Sequence, residues 1–281
     1  MKVGIDSYSY HRLLGDLRPG EVAPTEHLAD GGAAVLREVR RIAGIDGVAL
    51  QTCYLDRMRS ESLSALRRES NGFELALSWG APNGIEFGRS AEGVDDLLAW
   101  IDLAAALGVR TMRIAAAGPA LRHRAADRRA AVPALRRATA RARSFGLVLA
   151  LENHGDLTAR EVNDLVEAVG DTYLGVCFDT GNALRVGDDV VAAAELLAPA
   201  IRMVHLRDVE PLENVRDHVA GPRSVAYGTG VIPLEVVLST LEGFGFEGLA
   251  CVEIGQLGPD DDERDLIARC VRWLRLRLEA G

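Results

Sequence analysis

The sequence predicts an α/β fold, a (β/α)8 TIM barrel forming one domain over residues 1–281. Three observations predict it. Eight short apolar runs alternate with helical patterns from one end to the other. The runs are apolar nearly throughout, as strands buried on both faces of a parallel sheet must be. No Gly/Pro-rich linker divides the chain, and no GxGxxG follows the first run, which disfavours a dinucleotide-binding sheet.

Taken in order, the predicted strands are 2–7 (KVGIDS), 47–52 (GVALQT), 73–78 (FELALS), 110–116 (RTMRIAA), 147–152 (LVLALE), 173–179 (YLGVCFD), 201–206 (IRMVHL) and 249–254 (LACVEI). Residues 92–107 and 125–144 repeat apolar positions every three and four residues, the helical period. Thr158 with Glu161 three positions later reads as a capping box opening a helix over 158–169. Further helices are predicted over 188–198, 233–243 and 262–278. Gly108, Gly146, Gly170 and Gly245 fall where helix C-caps precede the next strand. The longest irregular stretch, 208–230, joins strands seven and eight, and a long loop at that place in a barrel tends to carry function.

Composition excludes several activities. A net charge of −9 argues against a nucleic-acid partner. Lys2 is the only lysine, and it opens the first strand at the end remote from a barrel's active site, so Schiff-base chemistry lacks its amine. Cys53, Cys177, Cys251 and Cys270 form no CxxC pair and read as buried free thiols. No apolar run reaches membrane-spanning length, and no signal peptide is evident, so the expected compartment is the cytoplasm.

In this fold the C-terminal ends of the strands build the active site. Glu152 ends strand five, Asp179 ends strand six, and His205 and Glu253 lie near the ends of strands seven and eight. Ionisable groups at the equivalent place on four adjacent strands converge on one point, and burying them is costly unless they pair or bind a metal. Three carboxylates and an imidazole suit Mn²⁺, Mg²⁺ or Co²⁺ better than structural zinc, with catalytic zinc left open.

LENHGD at 151–156, FDTGN at 178–182, VHLRD at 204–208, YGTG at 227–230 and VEIG at 252–255 resemble the xylose-isomerase-like TIM-barrel superfamily, in its sugar phosphate isomerase/epimerase family. The resemblance implies a divalent metal, Mn²⁺ foremost, on Glu152, Asp179, His205 and Glu253. It further implies that Glu152 and Glu253 serve as the catalytic acid/base pair. The implied activity is isomerisation or epimerisation of a keto sugar, keto-inositol or related sugar derivative. A metal that polarises the carbonyl stabilises the developing enediolate while a carboxylate takes the adjacent proton. One departure limits the transfer: ketose epimerases of this kind commonly carry a histidine three residues after the strand-six aspartate, and here Asn182 stands there.

Other candidates for substrate contact are His154 after strand five, Tyr8 and His11 (with Ser7) after strand one, Trp79 after strand three, and Arg216 in the long loop with His218 and Arg223. YGTG is too short to count as a phosphate cradle. The alternative function is a lyase that begins with the same proton abstraction: a dehydratase, or cleavage of a C-glycoside or 3-keto-glycoside by β-elimination. A decarboxylase and a non-catalytic sugar-binding barrel are more remote. A DNA-repair nuclease of the related three-zinc type needs more histidine than the six present. The expected partner is a small carbohydrate, with a homo-oligomer an open alternative.

Overall fold

The computed structural model describes residues 1–29, 31–56, 60–81, 83–122, 125–211 and 222–280. Eight parallel strands close into a barrel in chain order: β1 (Lys2–Asp6), β2 (Gly47–Gln51), β3 (Glu74–Ser78), β4 (Thr111–Ile114), β5 (Val148–Glu152), β6 (Leu174–Asp179), β7 (Ile201–Leu206) and β8 (Leu249–Val252). β8 pairs with β1, Val3 opposite Ala250 and Ile5 opposite Val252, which closes the ring. Around it run α1 (Gly31–Val39), α2 (Ser60–Glu69), α3 (Ala91–Ala106), α4 (Ala131–Arg143), α5 (Ala159–Val169), α6 (Thr180–Val186), α7 (Val190–Leu197), α8 (Leu234–Gly243) and α9 (Glu263–Glu279).

All eight predicted strands are present: β7 has the predicted bounds and the other seven are trimmed by one to three residues. Strand eight ends at Val252, so Glu253 is the first residue beyond it. The capping box is also present: Thr158 accepts from the Glu161 N–H, and Glu161 accepts from the Thr158 N–H. Three helices escape the sequence periodicity. α1 opens on two glycines, α2 is mostly polar, and α6 follows β6 without a single linking residue. The helix predicted over 125–144 begins as a 3-10 segment, Ala125–Ala130, before α4. No helix among the described residues is long and apolar enough to cross a membrane.

The period-two alternation of a strand explains the architecture of the interior. Outward residues such as Ile5, Val48, Leu77, Leu149, Val176 and Val204 join the helices in the main core. Inward residues form a separate small cluster in the barrel: Ala49, Ala76, Ala150, Cys177, Met203, Leu249 and Cys251. Gly4 belongs to the same inner layer, and a Cβ there would lie 2.8 Å from Cys251 Sγ. Two residues further along each strand, the next inward position is polar: Asp6 on β1, Gln51 on β2, Ser78 on β3, Glu152 on β5, Asp179 on β6, His205 on β7 and Glu253 past β8. Arg113 on β4 joins them, donating from Nη1 to Trp79 O. An apolar plug thus carries a polar layer at its C-terminal face.

Candidate metal centre

Glu152, Asp179, His205 and Glu253 come together at that face. One donor atom from each lies within 4.8 Å of the others, and all four residues are buried. β6 and β7 set two of them side by side, since Asp179 pairs directly with His205 in the ladder. His205 Nδ1 lies 2.9 Å from Glu152 Oε1 and 2.6 Å from Glu253 Oε2. Asn153 fixes the neighbouring backbone, donating to Asp179 O at 2.9 Å and accepting from Asp179 N at 2.8 Å.

The donor set fits a divalent cation. Asp179 Oδ2 and both ring nitrogens of His205 are buried without an aligned hydrogen-bond partner. Buried polar atoms in that condition are rare unless an ordered water or an ion satisfies them. Three carboxylate oxygens and one imidazole nitrogen form the mixed oxygen-rich set used by Mn²⁺, Mg²⁺ and catalytic zinc.

The surrounding charges hold the two glutamates ionised. Burial alone would raise Glu152, but Arg113 beside it, together with His205, holds it far below the usual carboxylate range. Arg113 donates directly to Glu152 Oε2. Burial likewise opposes ionisation of Glu253, yet His205 and Arg207 bring it down to about 2. Asp179 goes the other way, pushed up to about 7 by burial and only partly relieved by Arg207. Arg207 Nη1 lies 3.7 Å from both Asp179 Oδ2 and Glu253 Oε1. Burial opposes the charge on His205, yet Cys177, Glu253 and Glu152 around it raise it well above its ordinary value. A cation on these donors would displace that proton, as metal binding to histidine requires.

Asp6 is a further member that the strand-end reading passed over. It is fully buried, accepts from Ser78 Oγ at 2.8 Å and Gln51 Nε2 at 3.1 Å, and lies 3.4 Å from His205 Nε2. That is the place of the carboxylate that orients a metal-bound histidine from its far nitrogen. Asp6, Arg113 and Arg207 each stood in a predicted strand or quoted motif. Their signal was the same inward period that marks the four candidate ligands.

Above the polar layer opens a cavity of about 300 Å³. Tyr8, His154 and Asn182, all expected to meet substrate, line it. His154 Nε2 lies 3.9 Å from Glu152 Oε2, and burial together with Arg113 lowers its pKa to about 4, so it is neutral at physiological pH. Two expected contacts lie outside the cavity wall. His11 is fully buried, sandwiched against the Tyr8 ring with its Nε2 3.0 Å from Glu21. Trp79 is buried as a plug, its indole N–H donating to Asp96 Oδ2 at 2.9 Å. Both are apolar enough to fill space once an acid satisfies their N–H, and that use has won here. Arg223 is tied to Asp261 at 2.7 Å. Arg216 and His218 lie outside the described residues. The YGTG amides are already taken, Gly228 N and Gly230 N donating to Asp208 Oδ2 at 3.0 and 2.9 Å. Cys53, expected to be buried, is exposed in the cavity wall.

Known proteins share this fold. A family model described as xylose isomerase-like TIM barrel matches residues 36–277. A 3-oxo-isoapionate decarboxylase of Pectobacterium atrosepticum is 24% identical over 215 residues, covering 74% of this chain and 69% of that protein. A D-psicose 3-epimerase crystallised in the presence of D-fructose superposes with a TM-score of 0.74 at 19% identity, covering 100% of both chains. The IOLI protein with a binding zinc atom superposes with a TM-score of 0.66 at 16% identity, covering 100% of this chain and 97% of that one. At these identities the structural likeness is one of fold.

Proposed function

Because the chain belongs to the xylose isomerase-like TIM-barrel family, we propose that it is a metal-dependent isomerase or epimerase of a keto sugar, keto-inositol or related sugar derivative. The observation that carries this reading is the convergence of Glu152, Asp179, His205 and Glu253 within 4.8 Å, with Asp179 Oδ2 left without a hydrogen bond. These four would hold the cation, Mn²⁺ foremost, with Mg²⁺, Co²⁺ and Zn²⁺ as alternatives. Bound there, a divalent cation supplies Lewis-acid polarisation of a substrate carbonyl.

The chain's own residues do the rest. Glu152 and Glu253 are kept ionised by Arg113, His205 and Arg207, so either can accept the proton beside that carbonyl. Return of a proton to the same carbon from the opposite side inverts it, giving an epimer. Return to the neighbouring carbon gives an aldose–ketose isomer. Neutral His154 and Asn182 offer hydrogen bonds to hydroxyls in the cavity wall. The second reading is a lyase, and the decarboxylase relative favours keeping it: loss of a leaving group or of CO₂ beside a carbonyl passes through the same developing charge.

Metal analysis combined with solvent-deuterium exchange in D₂O tests the proposal, using keto sugars, inososes and 3-keto glycosides. Deuterium should enter beside the carbonyl, and Glu152→Gln and Glu253→Gln should each lower its rate by about 10²–10⁴. Release of a leaving group or of CO₂ would select the lyase. A protein that purifies without metal and ignores added Mn²⁺ overturns the reading.

A further inference from the structure

The cavity wall is cationic in a protein of net charge −9. Arg113 and Arg207 are engaged by the candidate ligands, but two other arginines in the wall are not. Arg18, in the loop after β1, and Arg185, on α6, both line the cavity and are exposed in it. Neither has a carboxylate partner among the described residues. They nevertheless sense one another. Desolvation and then Arg207 lower both below the ordinary arginine value, and Arg18 also lowers Arg185. The carboxylates that act on them, Glu21 and Glu253 on Arg18 and Asp179 on Arg185, weigh less than Arg207 does, and two guanidinium groups in one wall with no ion-paired acid suit an anion that completes the group.

Both side chains are positioned. The Arg18 guanidinium lies over the Tyr8 ring, 4.9 Å from its centroid. Tyr8 in turn stacks on His11 at 5.0 Å, and Glu21 holds His11 from the other side at 3.0 Å. Arg185 follows Asn182 by three positions, so the two share a face of α6, both lining the cavity. The helix starts from Asp179, which places Asn182 at its first turn and Arg185 three residues, about 4.5 Å, farther along the axis. A molecule reaching outward from the three carboxylates and His205 meets Asn182, buried, and Arg185, exposed, in the same wall.

We propose that the substrate carries a carboxylate or phosphate at the end remote from the candidate metal ligands, and that Arg18 and Arg185 hold it. The inference rests on the sugar-processing reading above and narrows it to anionic sugars.

Calorimetric binding to the Mn²⁺-loaded protein tests it, with ribonate, ribulose 5-phosphate and neutral ribulose as probes. At least one anionic probe should bind roughly 10–100 times more tightly than ribulose, the range of a charge-assisted contact. Which anion wins distinguishes carboxylate from phosphate. Added salt should shrink the advantage. Arg18→Gln and Arg185→Gln should each remove about a tenfold part of it while leaving ribulose binding unchanged. Equal binding of anionic and neutral probes overturns the proposal, as does failure of every probe to bind at millimolar concentration. A loss of ribulose binding in the variants equal to the loss of anion binding overturns it too, because that marks a structural role. Deuterium exchange is read separately: an anion preference in a protein that exchanges nothing keeps this inference and sinks the isomerase reading.

Discussion

Asp179 has two carboxylate oxygens with separate tasks. Oδ1 caps α6, accepting from the Asn182 N–H at 2.6 Å, while Oδ2 is left among the candidate ligands. The tasks can be separated by substitution. Asparagine caps a helix as well as aspartate but is a poor ligand for a hard cation, whereas alanine does neither. Asp179→Asn should therefore lose metal, read by elemental analysis, with thermal stability of the metal-free protein nearly kept. Asp179→Ala should lose metal and also about 1 kcal/mol of stability in denaturant unfolding. Equal metal content in the wild type and both variants would count against Asp179 as a ligand.

Gly255 permits a different close approach. A Cβ there would lie 1.9 Å from Arg207 Nη2, so Gly255→Ala must displace the guanidinium that sits beside Asp179 and Glu253. The expected outcome is slower deuterium exchange with an apparent melting temperature close to wild type. Unchanged exchange would show that Arg207 has no part in setting the charge of Glu253. At this scale the sequence announced the four candidate ligands because each interrupts or ends an apolar run. It did not announce that Trp79 and His11 point away from the cavity. Which face a loop side chain takes depends on partners such as Asp96 and Glu21, 17 and 10 residues distant.

Among the elements, α5 shows how far local chemistry reaches. Thr158, Glu161 and Gly170 mark its two ends, and Gly170 closes it in a left-handed conformation at φ 67°. Thr158→Ala should cost about 1 kcal/mol in equilibrium unfolding. Because α5 packs outside the barrel, metal content should not change, and a variant that loses metal would contradict that separation. The eight strands were legible because each is a short apolar run between turn signals. α6 was not: it grows directly from β6, so the strand's own run conceals where extended backbone becomes helix. α2 was missed for the opposite reason, since only Leu66 is buried on it and its apolar stripe is too thin to read.

For the whole molecule, the buried acids couple stability to pH and to metal. Burial raises Asp6 to about 6 and Asp179 to about 7 from a reference of 3.8. A carboxyl whose pKa rises on folding stabilises the fold below its unfolded value, and that contribution is lost as pH climbs through the folded value. His205, also raised, has the same sign. Glu152 and Glu253, both depressed, act oppositely, contributing above their reference of 4.5 and losing that only as pH falls below it. Metal-free protein should thus melt at lower temperature as pH rises from about 5 to 8. Mn²⁺ should raise the melting temperature by an amount that grows over the same range, because it binds deprotonated ligands. A flat or falling metal effect across that range would argue against these donors.

One consequence concerns inheritance. All four candidate ligands come from β5, β6, β7 and the residue after β8, while Tyr8, Arg18, Gln51 and Cys53 reach the cavity from the other half of the barrel. The four candidate ligands are therefore encoded by one contiguous stretch of gene, while Asp6 and Arg113, which brace His205 and Glu152, come from the other. A chimaera joined near the β4–β5 boundary should keep all four ligands but bind metal as the native protein does only if its new first half supplies both braces.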